Sequence, residues 1–435
     1  MISDAAYSLS PTAESGETLD RAHDRAVKMP HVRSIPRINI QAFCEDQDTA
    51  EVIEKAAKDR RLAKTHVTVH MGGAHAAIAF YGNTSTPNLV IIESLLDRTD
   101  LLDELDRLAE FCDPGTKVIV IGHVNDVLLY RDLLRRGISE YVVAPAKVLQ
   151  IIESISAIYT NPETSSVGQV IAFVGAKGGG GSSTVCHNTA FAMASALKSE
   201  IVIADFDLPF GTASLDFNVD PLQGIADALA SPERLDEMML DRLLSRCSDY
   251  LSLFAAPGAL DRPYDLQPAS CEKVLDVMRD NVPWIAVDVP HLWSAWTKQV
   301  VFSADHVVIT AAPDLANLRN TKNLVDQLKG SRPNDRPPIL LLNQVGVPKR
   351  PEISVKDFGD AIDLKPKIII DFDVQLFGKA ANNGQMIEEV SDTSKAADAF
   401  RRLANLLTDR SQQNSERQSI LAPILARLGL TTMRV

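Results

Sequence analysis

The chain has 435 residues, of which 45% are hydrophobic and 23% are charged; this length exceeds one ordinary hydrophobic core, so two domains plus tails are expected. Its formal net charge of -13 disfavours a nonspecific nucleic-acid surface, because such a surface neutralises phosphates with lysine and arginine. No stretch approaches the ~20 apolar residues of a membrane-spanning helix, and the first residues do not resemble a secretory leader, so a cytoplasmic protein is expected.

Residues 1–36 are polar and carry several prolines and hydroxyl residues, which predicts a disordered tail. From residue 37 to residue 160 the pattern changes to five β-branched runs that alternate with five helical patterns. The runs read RINIQAF, HVTVHM, PNLVIIES, TKVIVIG and SEYVVA. This alternation predicts an α/β domain in which helices cover both faces of a parallel sheet, the doubly wound architecture.

The order of elements in this first domain resembles the receiver domain of response regulators. An acidic pair, Glu45 and Asp46, follows the first strand. The resemblance places Glu93 where receivers carry a phosphorylated aspartate, Gly122 at the hydroxyl position and Ala144 at the lysine position. Phosphoryl transfer to a carboxylate requires the correct acceptor, a magnesium site and a cation. We therefore expect an atypical receiver-like module for docking or dimerisation, with a phosphorylation switch as the alternative.

The stretch TNPETSSVGQ is rich in turn formers and predicts a linker at residues 161–168. The second domain, 169–410, opens with the strand QVIAFVG, a glycine loop and a helix. The N–H groups of such a loop, with the positive end of a helix dipole behind them, form an anion site. The strict pattern G-x-x-x-x-G-K-[ST] fails twice, because Ala176 replaces the first glycine and Ser182 replaces the lysine. A tight turn without a ligand is the alternative.

Three later apolar strands end in polar residues. Asp205 and Asp207 follow IVIA, Asp288 follows WIAV, and Asn343 follows ILLL. The spacing of two predicts that Asp205 and Asp207 lie on one side of their strand end. Ligands bind at the carboxyl ends of strands in an open parallel sheet, so these groups are expected to converge on the glycine loop.

Residues 168 to about 408 resemble the MinD/ParA group of P-loop ATPases, whose loop K-G-G-x-G-K-[ST] stands here as KGGGGSS. The resemblance implies that ATP and Mg²⁺ bind, with Asn343 at the adenine edge. The implied nucleotide-binding residues are Lys177, Gly178, Gly179, Gly180, Gly181, Ser182, Ser183, Thr184 and Asn343.

The same resemblance implies two catalytic residues. Lys177 would reach the phosphates of a second subunit, and Asp207 would orient the attacking water. The implied magnesium residues, acting directly or through water, are Ser183, Asp205 and Asp288.

The receiver-like half, the ATPase half and the missing second lysine together resemble the TadZ/CpaE family of polar localisation factors for Tad (Flp) pilus assembly. The resemblance implies an ATP-binding homodimer that scaffolds pilus assembly proteins at the cell pole. Hydrolysis is expected to be weak or absent, because Ser182 carries no charge to stabilise phosphoryl transfer. Alternatives are a MinD/ParA-like positioning ATPase for another cargo such as the division site or DNA, a nucleotide-binding module without turnover, and a metabolic or electron-transfer enzyme on this fold.

Two apolar features remain. Trp293 and Trp296, three residues apart on a predicted helix, indicate core packing or a dimer or partner surface. In the C-terminal tail, 411–435, one helical face carries an apolar stripe and predicts a short amphipathic helix. We expect this helix to dock on its own domain or on a partner, with peripheral contact to the inner membrane as the alternative. The stripe consists of Ile420, Leu421, Ile424, Leu425 and Leu428.

Overall fold

The computed structural model describes residues 35, 37–113, 115–159, 168–260 and 263–408. Contacts divide the chain into two compact units between Thr164 and Ser165. The predicted tail up to residue 34, the linker from 161 to 167 and the amphipathic helix at 411–435 lie outside the described residues. Ile35, which the sequence assigned to the tail, is buried, and its N–H donates to the Arg61 carbonyl.

The first unit is a five-stranded parallel sheet with strand order β2-β1-β3-β4-β5. The predicted alternation of five strands and five helices is confirmed, and this order is one of the two common doubly wound orders. A 3₁₀ turn at Arg60–Leu62 follows the first helix. The elements are β1 (Asn39–Cys44), α1 (Gln47–Ala57), β2 (His66–Met71), α2 (Gly73–Tyr81), β3 (Leu89–Ser94), α3 (Arg98–Ala109), β4 (Lys117–Gly122), α4 (Val127–Arg135), β5 (Glu140–Val143) and α5 (Val148–Tyr159).

Strand β3 is central in this sheet and buried at every position. Its successive side chains enter opposite cores: Ile91 packs in the layer beside α1 and α5, and Ile92 packs in the layer beside α2, α3 and α4. Burial on both faces explains why the run is continuously apolar rather than alternating. Aspartate side chains cap three of the helices, since Asp46, Asp97 and Asp126 each accept a hydrogen bond from a first-turn amide.

The second unit is an eight-stranded sheet with strand order β13-β12-β11-β6-β10-β7-β9-β8, parallel except for the antiparallel pair of β8 and β9 at one edge. Helices cover both faces, as the sequence predicts, and a 3₁₀ turn lies at Pro232–Arg234. The elements are β6 (Gln169–Gly175), α6 (Ser182–Leu197), β7 (Ile201–Asp205), α7 (Ala213–Asp216), α8 (Ile225–Ala230), α9 (Glu237–Leu243), β8 (Ser245–Ser248), β9 (Leu251–Phe254), α10 (Pro268–Asn281), β10 (Trp284–Val289), α11 (Ala295–Ser303), β11 (His306–Ala311), α12 (Leu315–Ser331), β12 (Ile339–Val345), α13 (Val355–Ile362), β13 (Ile368–Asp371), α14 (Val374–Asn383), α15 (Ile387–Val390) and α16 (Lys395–Leu407).

Strand β6 lies between β10 and β11, so the connections on its two sides run in opposite directions along the sheet. A crevice forms at the carboxyl ends of the strands at such a switch point. The loops that follow β6, β7, β10, β11 and β12 share this edge. Across the described residues no helix combines the length and the apolar character needed to cross a membrane.

The two tryptophans do not share a helix, so that prediction is wrong. Helix α11 begins at Ala295, because the Ser294 side chain accepts a hydrogen bond from the Thr297 amide and caps the helix. Trp293 precedes the cap and is 49% exposed, whereas Trp296 is buried.

Candidate functional site

The glycine loop joins β6 to α6 in a conformation that requires glycine. Gly179 and Gly181 have φ values of 77° and 85°, in the left-handed region that disfavours side chains. A Cβ atom on Gly181 would lie 2.5 Å from Asn343 Nδ2. The glycines therefore allow the backbone to follow a tight path beside the end of β12.

Side chains from neighbouring elements hold the carbonyl groups of this loop. Because a peptide N–H points away from its C=O, fixing the carbonyls turns amides toward the opposite side of the loop. Four side chains donate these hydrogen bonds. The sequence predicted a role for only one of them, Asn343, because an Asn, Gln or His far away in the chain leaves no local pattern. The hydrogen bonds run from His291 Nδ1 to Gly175 O (3.0 Å), from Asn320 Nδ2 to Ala176 O (2.9 Å), from Gln344 Nε2 to Gly179 O (3.0 Å) and from Asn343 Nδ2 to Gly180 O (2.9 Å).

Helix α6 begins directly after the loop without a side-chain cap. Gly181 occupies the N-cap position, and the amide of Val185 makes the first intrahelical bond, to the Gly181 carbonyl. The amides of Ser182, Ser183 and Thr184 precede that bond, where helix donors lack partners and the helix dipole is positive. The Ser182 Oγ atom is buried and has no hydrogen-bond partner among the described residues. These groups together can cradle an anion.

Lys177 is the cation of the loop, and it is exposed. Its ammonium group lies close enough to Asp314 to affect that carboxyl. Burial alone would raise the pKa of Asp314, but hydrogen bonds from Asn317 and the charge of Lys177 lower it. In a single copy of the chain, the charge of Lys177 therefore acts on the carboxyl group that caps the start of α12.

Asp205 and Asp288 end two adjacent strands and are register partners across β7 and β10. Both are buried, with 1% and 3% of their surface exposed. Burial raises the pKa of Asp205, and the Asp288 carboxylate raises it further, to about 7, although His187 opposes the shift. Two buried carboxylates side by side are a place where positive charge is favoured.

Asp207 lies in the loop after β7, two residues beyond Asp205, and the shared side of the two carboxylates stays a prediction. Strand β7 ends at Asp205, so the alternation of a strand does not continue to residue 207. The Asp205 side chain accepts hydrogen bonds from the amides of Asp207 (3.0 Å) and Ala213 (3.3 Å), and Asp207 Oδ1 accepts one from Phe210 (3.3 Å). Burial raises the pKa of the Asp207 carboxyl, the bond from Phe210 lowers it, and Asp288 raises it.

His187 is a functional candidate that sequence reasoning did not single out. It is completely buried in α6, with Nδ1 2.7 Å from Asp216 Oδ2 and Nε2 3.5 Å from Asp288 Oδ2. Burial lowers the pKa of His187, but the interactions with Asp216 and Asp288 outweigh that effect and raise it to about 10. The available signal was a histidine within the small and apolar stretch STVCHNTAFA, where a buried ionisable group requires a partner.

The segment ANNGQMIEEV lies against α6. Asn188 connects the two, because its Nδ2 donates to the Thr184 carbonyl (2.9 Å) and its Oδ1 accepts from the Ile387 amide (2.7 Å). The start of α6 is therefore linked to α15, near the carboxyl edge of the sheet.

The donor set at this edge suits a nucleotide with Mg²⁺. The loop offers amides and an orphaned hydroxyl for phosphate, and Ser183 with two buried carboxylates offers oxygen ligands. Among the described residues no three His, Cys, Asp or Glu side chains enclose a metal ion by themselves. Mg²⁺ commonly takes one or two carboxylates and completes its shell with phosphates and water, so the arrangement fits that ion.

The first unit has a different arrangement at its corresponding strand ends. Glu93, at the end of β3, is fully buried, and its Oε2 accepts hydrogen bonds from the amides of Glu45 (2.8 Å) and Asp46 (2.9 Å). Its Oε1 accepts one from Thr49 Oγ1 (2.6 Å), and His123 Nε2 lies 3.4 Å away. The carboxylate is therefore occupied as an anchor for the loop that follows β1.

No protein-family model matches the chain. A curated relative, an uncharacterised protein of Pseudomonas putida, is 25% identical over a match of 177 positions that covers 37% of this chain. The chain spans 62% of the length of that relative.

Two solved structures are more informative. A ParA family ATPase from Chlorobium tepidum TLS is 23% identical, covers 55% of this chain and 98% of its own, and gives a TM-score of 0.50, a likeness that shows the fold. The pilus assembly protein CpaE from Caulobacter crescentus CB15 is 50% identical, covers 30% of this chain and 98% of its own, and gives a TM-score of 0.29. Because half of the matched residues are identical over nearly all of that CpaE structure, this chain belongs to the TadZ/CpaE family of pilus assembly proteins, with a MinD/ParA-type fold.

Proposed function

We propose that this chain is an ATP-binding scaffold for Tad (Flp) pilus assembly, dimeric in its nucleotide-bound state and slow or inactive in hydrolysis. The observation that carries the proposal is the glycine loop. Four side chains donate hydrogen bonds to carbonyl groups of this loop, and α6 begins directly after it without a side-chain cap. The ParA-type fold and the CpaE relationship support a pilus assembly or positioning ATPase.

In this proposal the phosphates bind to loop and helix amides from Lys177 to Thr184. Ser183, Asp205 and Asp288 hold Mg²⁺ directly or through water, and the bound ion supplies neutralisation of phosphate charge. Asn343 supports the loop through its Nδ2 and offers its amide oxygen to the adenine edge.

Slow turnover follows from the residues that would act on the γ-phosphate. Asp207 orients the attacking water, but Ser182 can donate only a neutral hydrogen bond to the transferring group. A positioned cation stabilises the charge that spreads over the phosphoryl oxygens. Lys177, supplied by a second subunit, is the remaining cation in this proposal, so any hydrolysis depends on the dimer.

An apolar rim around the carboxyl edge of the second sheet supports dimerisation. The term apolar rim refers to large exposed side chains in the segments that follow β7, β9, β10 and β11. Exposed apolar groups clustered around a polar site are typical of an interaction surface. Its members are Phe210, Leu260, Leu292, Trp293 and Leu315.

The first unit acts in this proposal as an atypical receiver-like docking module rather than as a phosphorylation switch. The Glu93 carboxylate, which occupies the acceptor position, is engaged by two backbone amides and a hydroxyl group. We assign the protein to the cytoplasm at the cell pole.

Calorimetry and light scattering test the proposal together. ATP titrated into the protein with Mg²⁺ should release heat, and size-exclusion with light scattering should show dimers with ATP and Mg²⁺ but not without nucleotide. Ser182→Lys should increase hydrolysis at least about tenfold by restoring a cation, and Ser182→Ala should not. Absence of ATP binding in folded protein would falsify the proposal.

A further inference from the structure

Strand β12 ends in a β-bulge beside the glycine loop. Its register with β13 shifts between Leu342 and Val345, where three residues of β12 advance against two of β13. The extra residue falls at Asn343 and Gln344, and Gln344 has a φ of 55°, in the left-handed region that a residue with a Cβ rarely adopts. Bulges of this kind change the direction of the side chains that they carry.

The bulge lets two adjacent side chains support the same loop. In a regular strand, neighbouring side chains point to opposite faces of the sheet. Here Asn343 Nδ2 donates to the Gly180 carbonyl (2.9 Å), and Gln344 Nε2 donates to the Gly179 carbonyl (3.0 Å). The left-handed backbone at Gln344 is therefore part of how the end of β12 supports the glycine loop.

An ion pair in the loop after β12 stabilises this backbone conformation. The Arg350 guanidinium donates to the Gln344 carbonyl, and its Nη2 lies 2.8 Å from Glu352 Oε1. Glu352 in turn accepts hydrogen bonds from the amides of Gly346 (2.9 Å) and Val347 (3.1 Å). A disfavoured backbone conformation persists only where its surroundings fix it. These contacts fix the carbonyl of residue 344 and the amides that follow it.

We propose that Arg350 and Glu352 are positioning residues for nucleotide binding. They keep Gln344 in its left-handed conformation, so that its side chain remains hydrogen-bonded to the Gly179 carbonyl and the loop amides remain turned toward the phosphates. This inference rests on the proposed function, in which the glycine loop binds ATP. Because the pair acts through Gln344, loss of the ion pair should have the same consequence as loss of the glutamine side chain.

Calorimetric titration of ATP with Mg²⁺ into the full chain tests this coupling as a double-mutant cycle. Gln344→Ala should weaken ATP binding about fivefold, the size of one ordinary hydrogen bond, and Glu352→Gln should weaken it by a similar factor. The double variant should bind ATP within about twofold of Gln344→Ala alone, because the ion pair then has no side chain left to position. Losses that multiply in the double variant overturn the proposal, as does wild-type affinity in Glu352→Gln.

Asp305→Asn is the matched control. The Asp305 carboxylate also pairs with an arginine, Arg279 (2.6 Å), and accepts a hydrogen bond from a backbone amide, that of Val170 (2.9 Å). Val170 lies at the opposite end of β6 from the glycine loop. The control should therefore lose stability and keep wild-type ATP affinity. If Glu352 were only a stability determinant, Glu352→Gln would show that same pattern.

Arg350→Lys decides the proposal even if Glu352→Gln does not fold. A lysine retains a positive charge beside Glu352 but lacks the planar fork that donates to the Gln344 carbonyl and the carboxylate together. It should weaken ATP binding by about twofold or more in the wild-type background and not in the Gln344→Ala background. Equal effects in the two backgrounds, including none in either, contradict the positioning role.

A measurement without nucleotide separates this inference from the proposed function. In ¹⁵N-glycine-labelled protein, the amide signal of Gly180 reports on the Gly179 carbonyl, since both belong to one peptide group. Gln344→Ala and Glu352→Gln should shift this signal in the same direction, and Asp305→Asn should leave it in place. If the wild type binds no ATP, the proposed function fails, while a shared shift still supports the positioning of the loop. An unmoved Gly180 signal in Glu352→Gln overturns it.

Discussion

Ser182 stands where a P-loop carries its second lysine, and its hydroxyl oxygen is buried without a partner in the described part of the chain. Such a hydroxyl can donate one hydrogen bond to an anion but brings no charge. Amide donors suffice to hold phosphate, whereas the charge that develops during phosphoryl transfer is stabilised by cations. Binding and turnover are therefore separable at this residue.

Gly181 permits a direct test of the loop conformation. Gly181→Ala should lower the free energy of unfolding by about 1–3 kcal/mol, because a Cβ would meet Asn343 Nδ2 at 2.5 Å and φ is 85°. Gly178→Ala is the matched control, since its Cβ would make an ordinary contact of 3.8 Å with His291 and its φ is not in the left-handed region. Denaturant unfolding without nucleotide measures both, and equal losses would contradict this account of the loop.

Glu93 is expected to be a stability determinant of the first unit. Glu93→Gln should lower the free energy of unfolding by about 2–3 kcal/mol. The two backbone amides and the hydroxyl group donate to both carboxylate oxygens, and the glutamine side chain replaces one of these oxygens with an NH₂ group. Glu51→Gln, whose partner is an exposed Lys55 on the same helix, should change it by less than about 0.5 kcal/mol. Urea unfolding compares the two, and a negligible effect at residue 93 would remove the anchoring role.

The two tryptophans at the start of α11 lie in different environments, since Trp296 is in the core and Trp293 is at the surface. Trp296→Ala should cost about 3 kcal/mol of stability, because this ring is buried and stacks on Phe206 with centroids 5.9 Å apart. Trp293→Ala should leave the monomer's stability within about 0.5 kcal/mol, since the ring is half-exposed, yet weaken the ATP-dependent dimer about tenfold. Thermal unfolding and a dilution series by light scattering distinguish these effects. An undiminished dimer in Trp293→Ala would exclude this residue from the interface.

Strand and helix positions followed from sequence where a local pattern was strong. The runs HVTVHM and QVIAFVG became β2 and β6 without a shift, because β-branched residues and burial act over a few neighbours. Other features depend on distant parts of the chain. The placement of β10 between β6 and β7, the hydrogen bond from Asn320 to the loop and the contact of His187 with Asp216 have no local signature. The position of the Asp207 side chain depends on the loop after β7, because the strand ends two residues before it.

The two units of the molecule use their carboxyl edges differently. In the second unit, side chains donate hydrogen bonds to carbonyl groups of the loop after β6, and buried carboxylates lie at the ends of β7 and β10. In the first unit, the Glu93 carboxylate lies at the corresponding edge of the sheet. It accepts hydrogen bonds from backbone amides of the loop after β1. We infer that ligand chemistry belongs to the second unit, while the first offers a fixed surface.

In the proposed function, Lys177 connects the nucleotide site of one copy to the dimer. In one copy its side chain is exposed, and in the proposed function it reaches the phosphates of a second copy. Lys177→Ala should abolish the ATP-dependent dimer and reduce ATP affinity of the monomer by less than about threefold, because the monomer's phosphate contacts come from backbone amides. Lys329→Ala, an exposed lysine on α12 paired with Asp363, is the control and should dimerise normally. Light scattering with ATP and Mg²⁺ measures the dimer. Wild-type dimers from Lys177→Ala would mean that this lysine does not act across the interface.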